Sequence, residues 1–246
     1  MKILVCISKA PDTTTKITFT DGDTKFNEAG VQFIVNPYDE WYALVRGLEL
    51  KESLGGTVTT ITVGGVENDP IIRKALAIGA DDSVRIDAQT SDAFIVAKEI
   101  ANFATNKGYD LILCGKETIN YNGAQVAGLI AEFMDLPFVS QATKLDVAGS
   151  TATLGCDVQG GEQIVEVEMP LVLSAAKGMA EQRIPNMRGI MAARSKKLEV
   201  FPSSGGNSRC EIVGYSLPDA KKGCKYIDPE NAGELIELLH NEAKVI

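Results

Sequence analysis

From the N-terminus to Pro137, short apolar or β-branched runs alternate with longer stretches of helical periodicity. Residues 3–7 (Ile-Leu-Val-Cys-Ile) are continuously apolar, the pattern of a strand buried on both faces. Residues 57–63 (TVTTITV) are rich in β-branched side chains and end at Gly64-Gly65; residues 83–87 form a shorter candidate, and residues 110–114 (DLILC) run into Gly115. Helical repeats lie between them. Trp41, Leu44, Val45 and Leu48 recur at i, i+3, i+4 and i+7, and the repeat stops at Gly55-Gly56. Ile71, Ile72, Ala75, Leu76 and Ile78 make a second apolar face, closed by Gly79. Phe94, Ala97, Ala101 and Ala104 share a side of a third helix over residues 92–105, and Val126, Leu129, Ile130 and Phe133 of a fourth that stops before Pro137. This alternation predicts an α/β fold, a mostly parallel twisted sheet flanked by helices.

After Pro137 the pattern changes. Residues 147–151 and Gly160-Gly161 read as turns, and residues 163–169 alternate with period two. An antiparallel hairpin on the sheet edge is expected there, followed by a strand over residues 171–175. The same alternation places Glu166 and Glu168 on a solvated hairpin face rather than in a catalytic carboxylate pair. Residues 177–197 lose regularity and gather Lys177, Arg183, Arg188, Arg194, Lys196 and Lys197. Residues 202–207 (PSSGGN) have the composition of a linker. A short amphipathic helix follows, with Asp228 as cap, Pro229 at its first position and Leu235, Leu238 and Leu239 on its apolar side. The expected division is an α/β unit over residues 1–200 and an extended C-terminal arm over residues 201–246 that packs on a partner.

Composition removes several function classes. With 246 residues, 45% of them apolar, the chain can bury one sizeable core. The net charge of −9 opposes non-specific nucleic-acid binding, which depends on cations neutralising phosphates. The apolar run at the N-terminus is too short for a signal peptide or a membrane span, so a cytoplasmic protein without direct membrane insertion is expected. The five cysteines (Cys6, Cys114, Cys156, Cys210, Cys224) are scattered without a C-x-x-C pair, and His240 is the single histidine. Neither a disulfide framework, nor a zinc site, nor a histidine-based triad is expected from that inventory.

The segment richest in candidate chemistry is residues 110–126 (DLILCGKETINYNGAQV). A strand ends at Gly115, a polar loop follows, and a helix is expected to begin near Gly123, with Asn120 and Asn122 as natural caps. In open α/β sheets ligands sit at the carboxyl ends of strands, where helix N-termini offer unpaired N–H groups to phosphate. The alternative is an ordinary capped strand–helix connection. Two other strand ends, Cys6-Ile7-Ser8 and Val63-Gly64-Gly65, are expected beside it, and Asn36-Pro37-Tyr38-Asp39 enters the first helix with a fixed turn that could face an adenine. Ser204-Gly205-Gly206-Asn207-Ser208 faintly resembles a pyrophosphate loop, but it lacks the expected acid and does not follow the first strand.

These segments converge on a family. Residues 3–12 (ILVCISKAPD), 36–39 (NPYD), 74–82 (KALAIGADD), 114–119 (CGKETI), Gly161, Met169-Pro170 and 190–197 (IMAARSKK) resemble, in order and spacing, the beta subunits of electron-transferring flavoproteins. The resemblance implies an adenine nucleotide alpha hydrolase-like fold and a heterodimer whose alpha subunit carries most of an FAD site. It implies a buried, structural AMP touching Cys6, Asn36, Pro37, Tyr38, Asp39, Val63, Gly115, Lys116, Glu117, Thr118, Ile119, Asn120, Tyr121, Asn122, Gly123, Ala124, Gln125 and Val126. It also implies a docking loop for acyl-CoA dehydrogenases and other flavin dehydrogenases, with its apolar anchor at Met187 among Arg183, Arg188, Arg194, Lys196 and Lys197. Electrons would leave to a quinone oxidoreductase, and no residue need be catalytic. The chain departs from the family at Asn120-Tyr121-Asn122, where acidic residues are common, at Thr13, where some members carry an aromatic ring, and at Met187-Arg188, where the family has leucine and proline. Two alternatives stay open. Asp39 and Gln125-Val126 resemble a bifurcating branch whose beta subunit holds a second FAD reduced by NADH, and a stand-alone adenine-nucleotide sensor would share the fold.

Overall fold

The structure is a computed structural model that describes residues 1–221 and 223–246. In chain order its strands are β1 (Lys2–Cys6), β2 (Lys9–Pro11), β3 (Phe19–Thr20), β4 (Lys25–Phe26), β5 (Phe33–Val35), β6 (Thr57–Val63), β7 (Asp82–Asp87), β8 (Leu111–Gly115), β9 (Phe138–Ala148), β10 (Thr151–Val158), β11 (Gly161–Glu168), β12 (Leu171–Ala175) and β13 (Leu198–Pro202). The main helices are α1 (Asp39–Leu54), α2 (Asp69–Ile78), α3 (Ala93–Ala104), α4 (Val126–Met134), α5 (Met187–Ala193) and α6 (Ala232–Glu237). Among the described residues a nine-stranded sheet runs β11-β10-β9-β12-β8-β1-β6-β7-β13. The strands from β9 to β13 in that order pair in parallel, and β10 and β11 extend the β9 edge as an antiparallel meander. Two small antiparallel pairs, β2-β5 and β3-β4, fill the excursion between β1 and α1.

The continuous apolar run of β1 is divided by its pleat. Ile3 and Val5 face a core shared with α1 and α2 residues such as Leu44, Leu48 and Leu76, whereas Leu4 and Cys6 face Ile100, Ala104 and Ile130 of α3 and α4. Burying each such aliphatic side chain stabilises the fold by about 1.5–3 kcal/mol, so this two-sided strand is the centre of the domain. Helix α1 approaches the sheet closely because residue 47 is glycine: a Cβ there would lie 3.3 Å from both Leu113 and Val5 side-chain carbons.

Four features differ from the sequence pattern or add to it. Residues 171–175 form the expected strand, β12, but its insertion between β9 and β8, parallel to both, is not given by the pattern. Residues 198–202, without a strand signal of their own, form β13, and Pro202 is tolerated as the last residue of an edge strand. The irregular stretch 177–197 contains α5, seven residues long and therefore too short to show periodicity; the Asn186 side chain caps it by accepting from Gly189 N at 2.8 Å. Helix α4 begins at Val126 rather than near Gly123, because Asn122 (φ 49°) and Ala124 (φ 50°) take left-handed conformations that a right-handed helix cannot include.

The C-terminal segment leaves β13 along α3. The Glu99 carboxylate accepts from Ser203 Oγ (2.5 Å), Ser204 N (3.0 Å) and Gly205 N (3.1 Å), and Asp92 accepts from Ser208 Oγ (2.9 Å) and Cys210 N (3.2 Å). The chain then reaches the β3-β4 pair, where Tyr215 stacks on Phe19 with centroids 4.9 Å apart. Farther on, Asp228 caps a helical turn as its sequence suggests, accepting from Glu230 N at 3.0 Å, while Leu235 and Ile236 of α6 remain exposed. Among the described residues no helix is long and apolar enough to cross a membrane.

Candidate functional site

From β1 the chain adds β6 and β7 on one side, then returns to place β8 on the other. Connections therefore diverge at the carboxyl ends of β1 and β8, the place where an open α/β sheet leaves a crevice. An open cleft of about 280 Å³ lies there, with Tyr38, Asp39, Tyr42, Lys116, Asn122 and Lys177 among its walls. Two local devices shape it. Tyr38, the residue before α1, has φ 67° and an exposed ring, a backbone state that costs a non-glycine residue on the order of 1–3 kcal/mol. Gly115 ends β8 against the first turn of α1, where a Cβ would sit 2.7 Å from Glu40 N.

Hydrogen bonds join the strand ends to the loop. Asn36, fully buried, donates from Nδ2 to Ser8 Oγ and to Asn120 Oδ1, each at 3.2 Å, and its Oδ1 accepts from Ile119 N at 3.1 Å. Ser8 donates to Glu40 from its N (2.7 Å) and from its Oγ (2.9 and 3.0 Å). Asn120 and Asn122 are not the helix caps their sequence suggests: Asn120 is engaged by Asn36, and the residue before α4 is Gln125, which makes no side-chain cap bond. Residues 120–125 are exposed, and among the described residues the N–H groups from Gly123 to Gly128 donate no backbone hydrogen bond. Such a row of free donors at the start of a nine-residue helix suits an anion.

Burial pushes the Glu40 carboxyl up to about 8 against the opposing bonds from Ser8. Asp39 is raised by desolvation and held back by Lys116 and by the Glu117 N–H. The Cys6 thiol is raised well above its ordinary value by its hydrogen bond to Cys114 and by burial, which makes it a poor nucleophile. Cys6 thus sits under the crevice as packing, and Val63 closes β6 on the far side of β1. Among the described residues no cluster of three or more His, Cys, Asp and Glu side chains could hold a metal ion. The arrangement can bind and orient a polar ligand and offers no general base beside an activated nucleophile.

Residues 23–204 match the electron transfer flavoprotein domain. The chain is 34% identical over 260 residues to the electron transfer flavoprotein subunit beta of Bacillus subtilis (strain 168), covering all of both chains. The chain belongs to the electron transfer flavoprotein beta-subunit family. Other relatives carry different labels: the acryloyl-CoA reductase electron transfer subunit gamma of Anaerotignum propionicum is 32% identical over 82% of this chain and 77% of its own, and protein FixA of Azotobacter vinelandii is 29% identical over 87% and 79%.

In this electron transfer flavoprotein beta chain the basic stretch sorts into two kinds of residue. Arg183 forms a two-pronged pair with Glu52 of α1 (2.6 and 3.0 Å), and its carbonyl accepts from Trp41 Nε1 at 3.2 Å. Lys196 donates to the carbonyls of Leu76 (2.9 Å) and Ala80 (2.5 Å), capping the end of α2. Lys197 pairs with Glu199. Arg188 and Arg194 are exposed and flank Met187, which is 73% exposed. Met187, Ile190 and Met191 share one side of α5, and Ile184 is 81% exposed just before it. Sequence inspection singles out Met187 alone; the other apolar members become visible only once residues 187–193 are known to be helical.

Proposed function

We propose that this chain is the beta half of a heterodimeric electron carrier. It binds AMP at the carboxyl ends of β1 and β8 and helps hold an FAD carried mainly by the alpha subunit. Electrons enter the flavin from acyl-CoA dehydrogenases or other flavin dehydrogenases and leave to a quinone oxidoreductase in the membrane. The observation that carries the reading is the crevice itself: a cleft at the switch point walled by Tyr38, Asp39, Lys116 and Asn122, the last of these opening a loop segment with left-handed residues that continues into a row of free amides. The amides would take the phosphate and the Tyr38 turn would face the adenine, with the nucleotide serving as structure. The apolar side of α5, with Ile184, would enter a dehydrogenase pocket, where flexible methionines adapt to more than one partner. Arg188 and Arg194 would steer acidic surfaces toward it.

Asp39 and Gln125-Val126, together with the openness of the cleft, support a second reading in which FAD occupies the crevice and takes hydride from NADH. Co-expression with an alpha subunit, followed by heat release and mass identification of the bound nucleotides, separates the two. Stoichiometric AMP beside one FAD is expected. FAD in twofold excess with no AMP would replace the first reading by the second, and a chain that neither co-elutes with an alpha subunit nor carries nucleotide would remove both.

A further inference from the structure

The side-chain amide of Asn36 stands between two parts of the site that are far apart in sequence. Its Nδ2 faces Ser8 Oγ and Asn120 Oδ1, and its Oδ1 faces Ile119 N. Only one orientation of this amide is compatible with the loop, because Nδ2 opposite the Ile119 N–H would set two donors against each other. The same orientation is imposed from the other side when Glu40 is ionised. An ionised carboxylate only accepts, so the Ser8 hydroxyl hydrogen points at Glu40 and leaves its lone pairs for Asn36 Nδ2. With Nδ2 committed to Ser8, Oδ1 is turned to Ile119. Glu40 is itself fixed by the Ser8 N–H at 2.7 Å and by contact with the end of β8, since a Cβ at Gly115 would lie 2.8 Å from Glu40 Cγ.

We infer that Glu40 is the positioning residue of the 115–126 loop, setting through Ser8 and Asn36 the amide orientation that holds Ile119 and Asn120. The consequence for a ligand rests on the loop being the nucleotide site; the relay does not. A proton on Oε1 reverses the first link: Glu40 then donates to Ser8 Oγ, and the freed hydroxyl hydrogen competes with the Asn36 amide hydrogens. The charged and titratable groups around Glu40 are Asp39 on α1, Cys6 on β1, and the Lys116–Glu117 pair beyond β8, which faces Asp39. Burial and Asp39 both raise Glu40, to about 8, while Cys6 lies well above its ordinary value and does not titrate in the same window.

Residue-resolved amide hydrogen exchange on the full chain tests this. Above pH about 8, where wild-type Glu40 is ionised, Glu40→Gln, whose amide donates toward Ser8, is expected to exchange at Ile119 roughly tenfold faster than wild type and to weaken AMP binding by a similar factor, whereas below that pH the two proteins are expected to exchange alike. In a Ser8→Ala background the same substitution is expected to add nothing, because the relay is already cut. In wild type, protection at Ile119, corrected for the intrinsic rate, is expected to rise as pH passes about 8 and to lose that step in Glu40→Gln. Unchanged Ile119 exchange in the variant above pH about 8, a further loss in the Ser8→Ala background, or no pH step in wild type overturns the inference. Absence of AMP binding by wild type would instead defeat the AMP reading, and Ile119 exchange, which needs no ligand, would still decide the role of Glu40.

Discussion

Gly115→Ala puts the contact between β8 and α1 under direct strain. The added Cβ would lie 2.7 Å from Glu40 N, 2.8 Å from Glu40 Cγ and 3.1 Å from Asp39 C, where carbon contacts normally settle at about 3.5–4.0 Å. Two of the three atoms are main chain in the first turn of α1, so a rotamer change cannot relieve the overlap. The helix cannot retreat either, because Leu44 and Leu48 are fully buried against the sheet. Overpacking of this kind costs about 1–3 kcal/mol, and a clash with backbone belongs in the upper half of that range. For a chain of this size each kcal/mol lowers Tm by about 2–4 °C, so a fall of roughly 4–12 °C is expected by scanning calorimetry. Gly123→Ala is the matched control: nothing lies within 4 Å of its Cβ, and a shift of no more than about 1 °C is expected. A Gly115→Ala protein melting with wild type, or a Gly123→Ala protein falling as far, would refute the packing argument.

Other consequences are equally open to measurement. Arg85 is buried and donates to Asp69 (2.9 Å), Gly64 O (3.0 Å) and Asp87 (2.6 Å), so Arg85→Ala should cost about 2–3 kcal/mol in urea denaturation, less than a sealed ion pair because both carboxylates reach water. Glu40 carries its proton to a higher pH when folded (about 8) than when unfolded (4.5), so its contribution to stability is complete below the unfolded value and is lost as pH rises through the folded one. The loss should amount to roughly a few kcal/mol and vanish in Glu40→Gln; equal slopes in the two proteins would contradict the burial argument. Met187→Ala, at an exposed position, should leave Tm within about 1 °C of wild type while slowing electron transfer from a dehydrogenase in stopped-flow mixing, and unchanged transfer with every partner would remove Met187 from the docking face.

The amino-acid pattern was sufficient for the elements whose burial repeats with a regular period. Continuous apolar residues in β1 and the i, i+3, i+4 spacing of Leu44, Val45 and Leu48 in α1 are local signals, because each element buries the same face along its whole length. Gly115 and the polar run after it likewise marked the crevice from sequence. What the sequence left undecided depends on contacts between distant segments. Strand β13 exists through its pairing with β7, and α4 starts at Val126 because Asn36, far upstream, takes hold of Ile119 and Asn120 while Asn122 and Ala124 turn left-handed. The bonds of Lys196 to the carbonyl end of α2 were likewise not legible in the basic run where it stands. Glu40 carries no signal of its own in the sequence, yet the crossing of α1 over β1 and β8 buries it against Ser8. A hydrogen bond is directional and short, so its partners are fixed only once the chain has closed in three dimensions, whereas an apolar face needs only to recur in step with the backbone that carries it.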